Sequence, residues 1–223
     1  ENSSFETSQF FDVEIHVYDQ AALNITSSDL TNSYGGIWIW LEGNSEAYLN
    51  GAGFSPYGQG SRIITVDNVK VEVQDSAFDY AVCWGDSTVT VHGSTVRKGV
   101  KTWNTARTIV ASSSVDYMWA SLSSKIEVQN TTIHATTPYE VALRANGNSD
   151  VSFFDCLVKD SVNVAETARV RLRNSSIEKV VAYDNAIVWL IGSTSGEVYG
   201  YDQARIYSFS SVQEAVDNAR EGD

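Results

Sequence analysis

Trp38 and Trp40 stand two residues apart in G-I-W-I-W-L, so an extended chain puts both rings on one side and Ile37, Ile39 and Leu41 on the other. Flat apolar rings held this way can stack on a sugar ring or seal an interface. Trp84, Trp103 and Tyr57 offer the same chemistry beside polar turn residues, Tyr57 within the segment S-P-Y-G-Q-G-S. Asp184 and Asp202 sit in matching turns, Y-D-N-A and Y-D-Q-A. Two carboxylates on adjacent turns could hold a calcium ion or flank a glycosidic bond, whereas a turn aspartate on its own accepts backbone N–H groups. Asn24, Asn130 and Asn174, with Asn2, head N-x-S/T sequons that suit a secreted glycoprotein. His16, His92 and His134 are isolated and show no metal-ligand spacing.

What positions these residues is a repeated unit. The stretch V-R-L-R-N-S-S-I from Val170 recurs as V-E-V-Q-D-S-A-F from Val71, V-T-V-H-G-S-T-V from Val89, I-E-V-Q-N-T-T-I from Ile126 and V-S-F-F-D-C-L-V from Val151. Apolar residues alternate with polar ones, and an Asn, Asp or Gly corner follows, which reads as a strand, a tight turn and a second strand. Taking the second apolar residue as anchor gives Ile25, Leu49, Val73, Val91, Val110, Val128, Phe153, Leu172 and Leu190, with a degenerate tenth copy near Tyr207. The anchors recur every 18 to 25 residues or so, within the range of solenoid coils. Three residues after each anchor runs a column of small residues, Ser28 through Ser76, Ser94 and Cys156 to Ser193. Four residues before each anchor runs a second, from Ala21 through Ser45 and Ser149 to Ala186.

A period of two within the unit and about 20 between units excludes a helical repeat. Short strands joined by three corners, stacked at about 4.8 Å, turn each column into a ladder, with small residues where the wall bends inward. The expected fold is all-β: a single-stranded right-handed parallel β-helix of about ten coils over 13–210, about 45 to 50 Å long. Residues 1–12 fall outside the repeat and read as a lead-in strand, a cap or a tail. Residues 211–223 form one short C-terminal α-helix, with Ser211 and Glu214 as a capping box, an apolar face of Val212, Ala215, Val216 and Ala219, and Gly222 as terminator. That helix plugs the end of the solenoid or opens a following module.

Composition narrows the function classes. The 223 residues carry a formal charge of −13, which disfavours nucleic acid and an anionic membrane surface. No apolar run is long enough to span a bilayer. Cys83 and Cys156 lie about four coils apart, beyond disulfide reach, and read as buried thiols. Longer insertions at 31–36, 55–61 and 134–140 leave from one corner, the first two from adjacent coils as a paired protrusion. An aromatic column of Tyr18, Trp84, Trp103, Tyr183 and Tyr201 lies seven residues before the anchors, and an outward, partly basic stripe runs through Lys70, Thr88, Arg107, Lys125, Asp150 and Arg169 with Arg171, Arg173 and Arg205, suited to an anionic polysaccharide or acidic neighbour or simply to decorating exposed strands. Asp75 and Asp155 share a corner column but are too many coils apart to act as a catalytic pair.

Over 13–210 the repeat resembles the right-handed parallel β-helix repeat family, also called pectate-lyase-like. The closing S-V-Q-E-A-V-D-N-A-R-E-G-D is similar to the opening of NosD-like β-helix modules common in archaeal surface proteins. This resemblance implies a module of a cell-surface protein whose parent continues into a second β-helix or whose helix meets another copy. The pectate-lyase branch carries a calcium-binding Asp cluster with a catalytic Arg, and the polygalacturonase branch carries paired Asp with His and an R-I-K segment. This chain has neither pattern. The sequence therefore points to a non-catalytic extracellular module for structure, assembly or adhesion. Its expected partners are neighbouring β-helix modules or copies of itself end to end, as in an S-layer or filament. The competing reading is a carbohydrate-binding module, or a polysaccharide lyase or hydrolase, using Trp38, Trp40, Trp84, Trp103 and Tyr57.

Overall fold

The computed structural model describes residues 3–7, 12–32, 35–54, 60–136 and 141–218. The chain is a parallel β-helix with three strand-bearing faces, and every strand pairing among the described residues is parallel. Face 1 is a sheet of ten strands running from Ala22–Thr26 to Arg205–Phe209, each pairing with the next coil over five residues without a slip. Face 2 begins at Ser3–Thr7 and face 3 at Val13–Val17. These two faces merge into one larger sheet because strands such as Ala77–Cys83, Leu157–Val164 and Ser176–Ala182 run through the bend between them, with register shifts at Phe78/Tyr80 and Val158/Ser161. Each coil visits face 2, face 3 and face 1 in turn. Coil 1 thus opens at Ser3, ahead of Val13, and coil 10 closes on face 1 at Phe209.

The anchors form one inward ladder on face 1, from Ile25 paired with Leu49 to Leu172 paired with Leu190. Its tenth position, in the degenerate copy near Tyr207, is Ser208. Tyr207 pairs with Trp189 on the outer side, where the two rings stack at 6.3 Å. Alternation along the strand, not residue type, decides which side faces in. Phe78 and Phe153 are the largest fully buried side chains, and the core is one continuous cluster along the rod.

The corners explain the polar columns. Ahead of face 1, Asp19, Gly43, Asp67, Gly85, Asn104, Leu122, Gly147, Glu166, Asp184 and Asp202 all adopt the left-handed conformation, with φ from 55 to 76°. After face 1 a second ladder, including Ser27, Asp75, Asn130, Asp155 and Asn174, does the same. Asp, Asn and Gly tolerate this region best, hence their recurrence at coil spacing. Behind the second ladder the small column is a chain of hydrogen bonds. The N–H of Ala52 donates to Ser76 Oγ at 3.0 Å, that of Ser76 to Ser94 Oγ at 3.1 Å, and that of Ser94 to Ser113 Oγ at 3.1 Å. Each hydroxyl also donates to the carbonyl two residues before it, as Ser76 does to Gln74 at 2.7 Å. A hydroxyl here satisfies a buried N–H that the strand ladder leaves over, a contribution of about 1 kcal/mol each. Cys156 stands in this column with its Sγ 3.2 Å from the Phe154 carbonyl, and burial raises its thiol pKa. Cys83 is also free and buried, and desolvation pushes its thiol up to about 11.

The C-terminal helix spans Val212–Asp217 with Ser211 as its N-cap. Glu214 N–H donates to Ser211 Oγ at 3.1 Å, but the Glu214 carboxylate reaches back one residue further than a capping box does. It accepts the Ser210 N–H at 2.6 Å. Val212, Ala215 and Val216 face the outward residues Trp189, Tyr207 and Phe209 across a groove of 540 Å³. The helix therefore lies along the outer side of face 1, and Val198 in coil 10 is 43% exposed. Ala219 and Gly222 lie outside the described residues.

Candidate functional site

Face 3 carries five of the six tryptophans on its outer side: Trp38, Trp40, Trp84, Trp103 and Trp119. The expected split in Ile37–Leu41 is present, with Ile37, Ile39 and Leu41 buried and Trp38 and Trp40 half-buried on the opposite side. One coil further, Arg62 pairs in register with Trp38, and its guanidinium lies 4.6 Å from the Trp38 ring centre and 5.6 Å from that of Tyr80. Lys101 follows between Tyr80 and Trp119, with Nζ 5.7 and 5.8 Å from the two ring centres. Arg144 then lies 5.7 Å from Trp119 on the far side. From coil 2 to coil 7 the strip thus alternates ring, cation, ring, cation, ring, cation.

This strip spans about 24 Å at the coil spacing. Beside it, Trp84 and Trp103 stack at 5.3 Å, and Trp119 meets Trp103 edge-on at 5.5 Å. Trp119 Nε1 donates to Asn146 Oδ1 at 3.0 Å, and Trp40 Nε1 donates to Glu42. The Nε1 of Trp38, the Nε1 of Trp84 and the Nε of Arg62 are buried without a hydrogen-bond partner. For Arg62 the two flanking rings supply the compensating interaction, each cation–π contact being worth about 0.5 to 2 kcal/mol.

The cations of face 3 differ from those of face 1. The basic stripe forms the ladder Lys70, Thr88, Arg107, Lys125, Asp150, Arg169, with Arg205 two coils on. Carboxylates neutralise much of it: Lys70 pairs with Glu72 at 3.1 Å, Arg107 with Glu127 at 2.8 Å, and Arg171 with Asp150. The link to Glu72 also raises the Lys70 pKa. Among the described residues, Arg62, Lys98, Lys101 and Arg144 have no carboxylate partner.

Glu14 pairs in register with Trp38, Glu42 accepts from Trp40, and a third acid, Asp79, is one that sequence reasoning overlooked. Asp79 sits at the bend between faces 2 and 3 and is 1% exposed. One oxygen accepts from Arg97 Nε at 2.7 Å and the other from the Ser61 N–H at 2.8 Å. Arg97 also donates to the Phe54 carbonyl at 2.8 Å, so the pair joins three consecutive coils. A side chain at Gly60 would collide with Asp79 Oδ2 and Lys98 Nζ, and its φ of 87° suits glycine alone. A lone Asp in the apolar run F-D-Y-A, with an Arg one coil later, was the available signal.

Asp184 and Asp202 are neighbours in the first left-handed corner, and Asp184 Oδ2 accepts the Glu166 N–H at 3.1 Å. No three His, Cys, Asp or Glu side chains converge among the described residues. Asn24, Asn130 and Asn174 are all exposed, the last two in the second corner. Tyr57 and the centres of the three long insertions lie outside the described residues. In the aromatic column, Tyr183 and Tyr201 stack at 5.2 Å near one end, and Tyr18 stacks on His16 at 5.5 Å near the other. No protein-family model matches the chain, and no curated protein or solved structure matches it.

Proposed function

We propose that the protein is a non-catalytic, extracellular β-helix module that binds an anionic polysaccharide along face 3. The observation that carries this reading is the alternation, across coils 2 to 7, of half-buried rings with cations that have no carboxylate partner among the described residues. Rings stack on the apolar faces of sugars, and guanidinium and ammonium groups pair with uronate or sulfate oxygens. A rigid stack of coils holds both at a fixed pitch, so little ordering is needed on binding. The chain as a whole is acidic, which makes a strip with three cations a local feature that the net charge does not explain. Asp79 has both oxygens engaged, so it serves the architecture of the bend beside the strip. The exposed sequon asparagines favour an extracellular setting.

Isothermal titration with polygalacturonate and with dextran tests the proposal. Polygalacturonate should bind, and its affinity should fall about tenfold or more when added salt shortens the Debye length to about 3 Å. Dextran, which offers rings without charge, should bind far more weakly. Equal affinity for both chains, or none for polygalacturonate, contradicts the proposal.

A further inference from the structure

Within the face 3 strip, three cations gather around a single ring. Arg62, Lys101 and Lys98 hold their charges 5.6, 5.7 and 5.8 Å from the ring centre of Tyr80. Arg62 comes from coil 3 and pairs in register with Tyr80 of coil 4, which pairs in turn with Gly99, between the two lysines of coil 5. All four side chains are half-buried, so water and salt screen the three charges less than they would on an open surface.

None of the three cations has a carboxylate partner among the described residues. Asp79, next to Tyr80 in the chain, is engaged by Arg97 and by the Ser61 N–H, and the S-P-Y-G-Q stretch ahead of Gly60 contains no acid. Arg62 Nε is buried without a hydrogen-bond partner among the described residues. Lys98 Nζ lies over Gly60, where a Cβ would come within 2.9 Å of it, so the glycine leaves room for the ammonium.

Like charges gathered around one ring repel one another, and a bound anion relieves that repulsion. The directions of the donors decide which anion fits. A carboxylate offers its oxygens in one plane, whereas a sulfate or phosphate ester offers three terminal oxygens as a tripod. Donors that reach Tyr80 from coil 3 on one side and from two points of coil 5 on the other suit the tripod.

We infer that the Tyr80 cluster is a subsite for a tetrahedral ester anion, a sulfate or phosphate carried by a sugar of the bound polysaccharide, an inference that rests on the reading of face 3. Arg62, Lys98 and Lys101 each donate to one ester oxygen, and the Tyr80 ring packs against the sugar that carries it. Arg62 also lies against Trp38 and Lys101 against Trp119, whereas Lys98 meets the Tyr80 ring at the bend, which makes Lys98 the residue to test.

Isothermal titration with carboxymethylcellulose, cellulose sulfate and cellulose phosphate of equal degree of substitution isolates the anion, since the three share a backbone. At least one ester should bind about tenfold more tightly than carboxymethylcellulose, the gain from one more charge-assisted bond, and the tighter ester identifies the group. Lys98→Gln should cut that preference to about threefold or less, and Lys98→Arg should retain it. Lys125→Gln, on face 1, should leave it unchanged. If polygalacturonate binds but neither ester outbinds carboxymethylcellulose, or if Lys125→Gln lowers the preference as much as Lys98→Gln, the ester subsite is overturned and the reading of face 3 survives. If none of the four polymers binds, both are overturned. Circular dichroism confirms that each variant retains the fold.

Discussion

Asp79→Ala should lower the unfolding free energy by about 3 to 5 kcal/mol, the usual cost of removing one partner from a buried ion pair. The substitution leaves Arg97 without its carboxylate and the Ser61 N–H without its acceptor, both at the bend that joins faces 2 and 3. Because Arg97 also holds the Phe54 carbonyl, the loss spreads over three coils and should appear as a cooperative fall in denaturant midpoint. Asp79→Asn retains an acceptor for one of the two bonds and should cost less. A change below about 1 kcal/mol for the alanine variant would mean that the carboxylate is solvated, contrary to the 1% exposure of Asp79.

Trp119→Ala should weaken polygalacturonate binding about 30-fold, a hot-spot loss of about 2 kcal/mol. Trp119 lies between two cations of the strip: Lys101 and Arg144 flank its ring, and Trp103 meets it edge-on. Removing it therefore takes away one stacking surface and releases two cations from their fixed positions. Trp189→Ala is the control, since Trp189 lies on face 1 beside the C-terminal helix and should leave affinity unchanged. Unchanged binding by the Trp119 variant, with loss in the Trp189 variant, would place the ligand on the wrong face for this account.

Much of the architecture was legible because a stacked coil repeats its constraints. The anchors, the two small columns and the corner Asp and Asn residues each mark a position where one geometry recurs in every coil, so a single alignment exposed them. What the small column does was not legible, because its chain of N–H to hydroxyl bonds depends on the rotation imposed by the left-handed residue before it. The degenerate tenth copy near Tyr207 was legible only as a neighbourhood, because Ser208, not an apolar residue, holds its anchor position.

The site was only half visible. Trp38 and Trp40 could be read from their own spacing, and Trp84 and Trp103 from the aromatic column. Arg62, Tyr80, Lys101, Trp119 and Arg144 belong to the strip through contacts between coils whose lengths differ, and a register shift lies at the bend leading into face 3. Asp79 was hidden for the same reason, since its partners come from the coils on either side. The basic stripe was legible as a ladder with Asp150 in it, but Glu72 and Glu127, which neutralise Lys70 and Arg107, sit in another outward column that was not compared with it.

The most direct measurement is oxidative footprinting of the tryptophans with and without polygalacturonate, read residue by residue by mass spectrometry. Binding along face 3 predicts protection of Trp38, Trp40, Trp84, Trp103 and Trp119, with Trp189 oxidised at the same rate in both samples. Protection of Trp189 alone, or no difference at any tryptophan while the polysaccharide is bound, would contradict the assignment of face 3 as the binding surface.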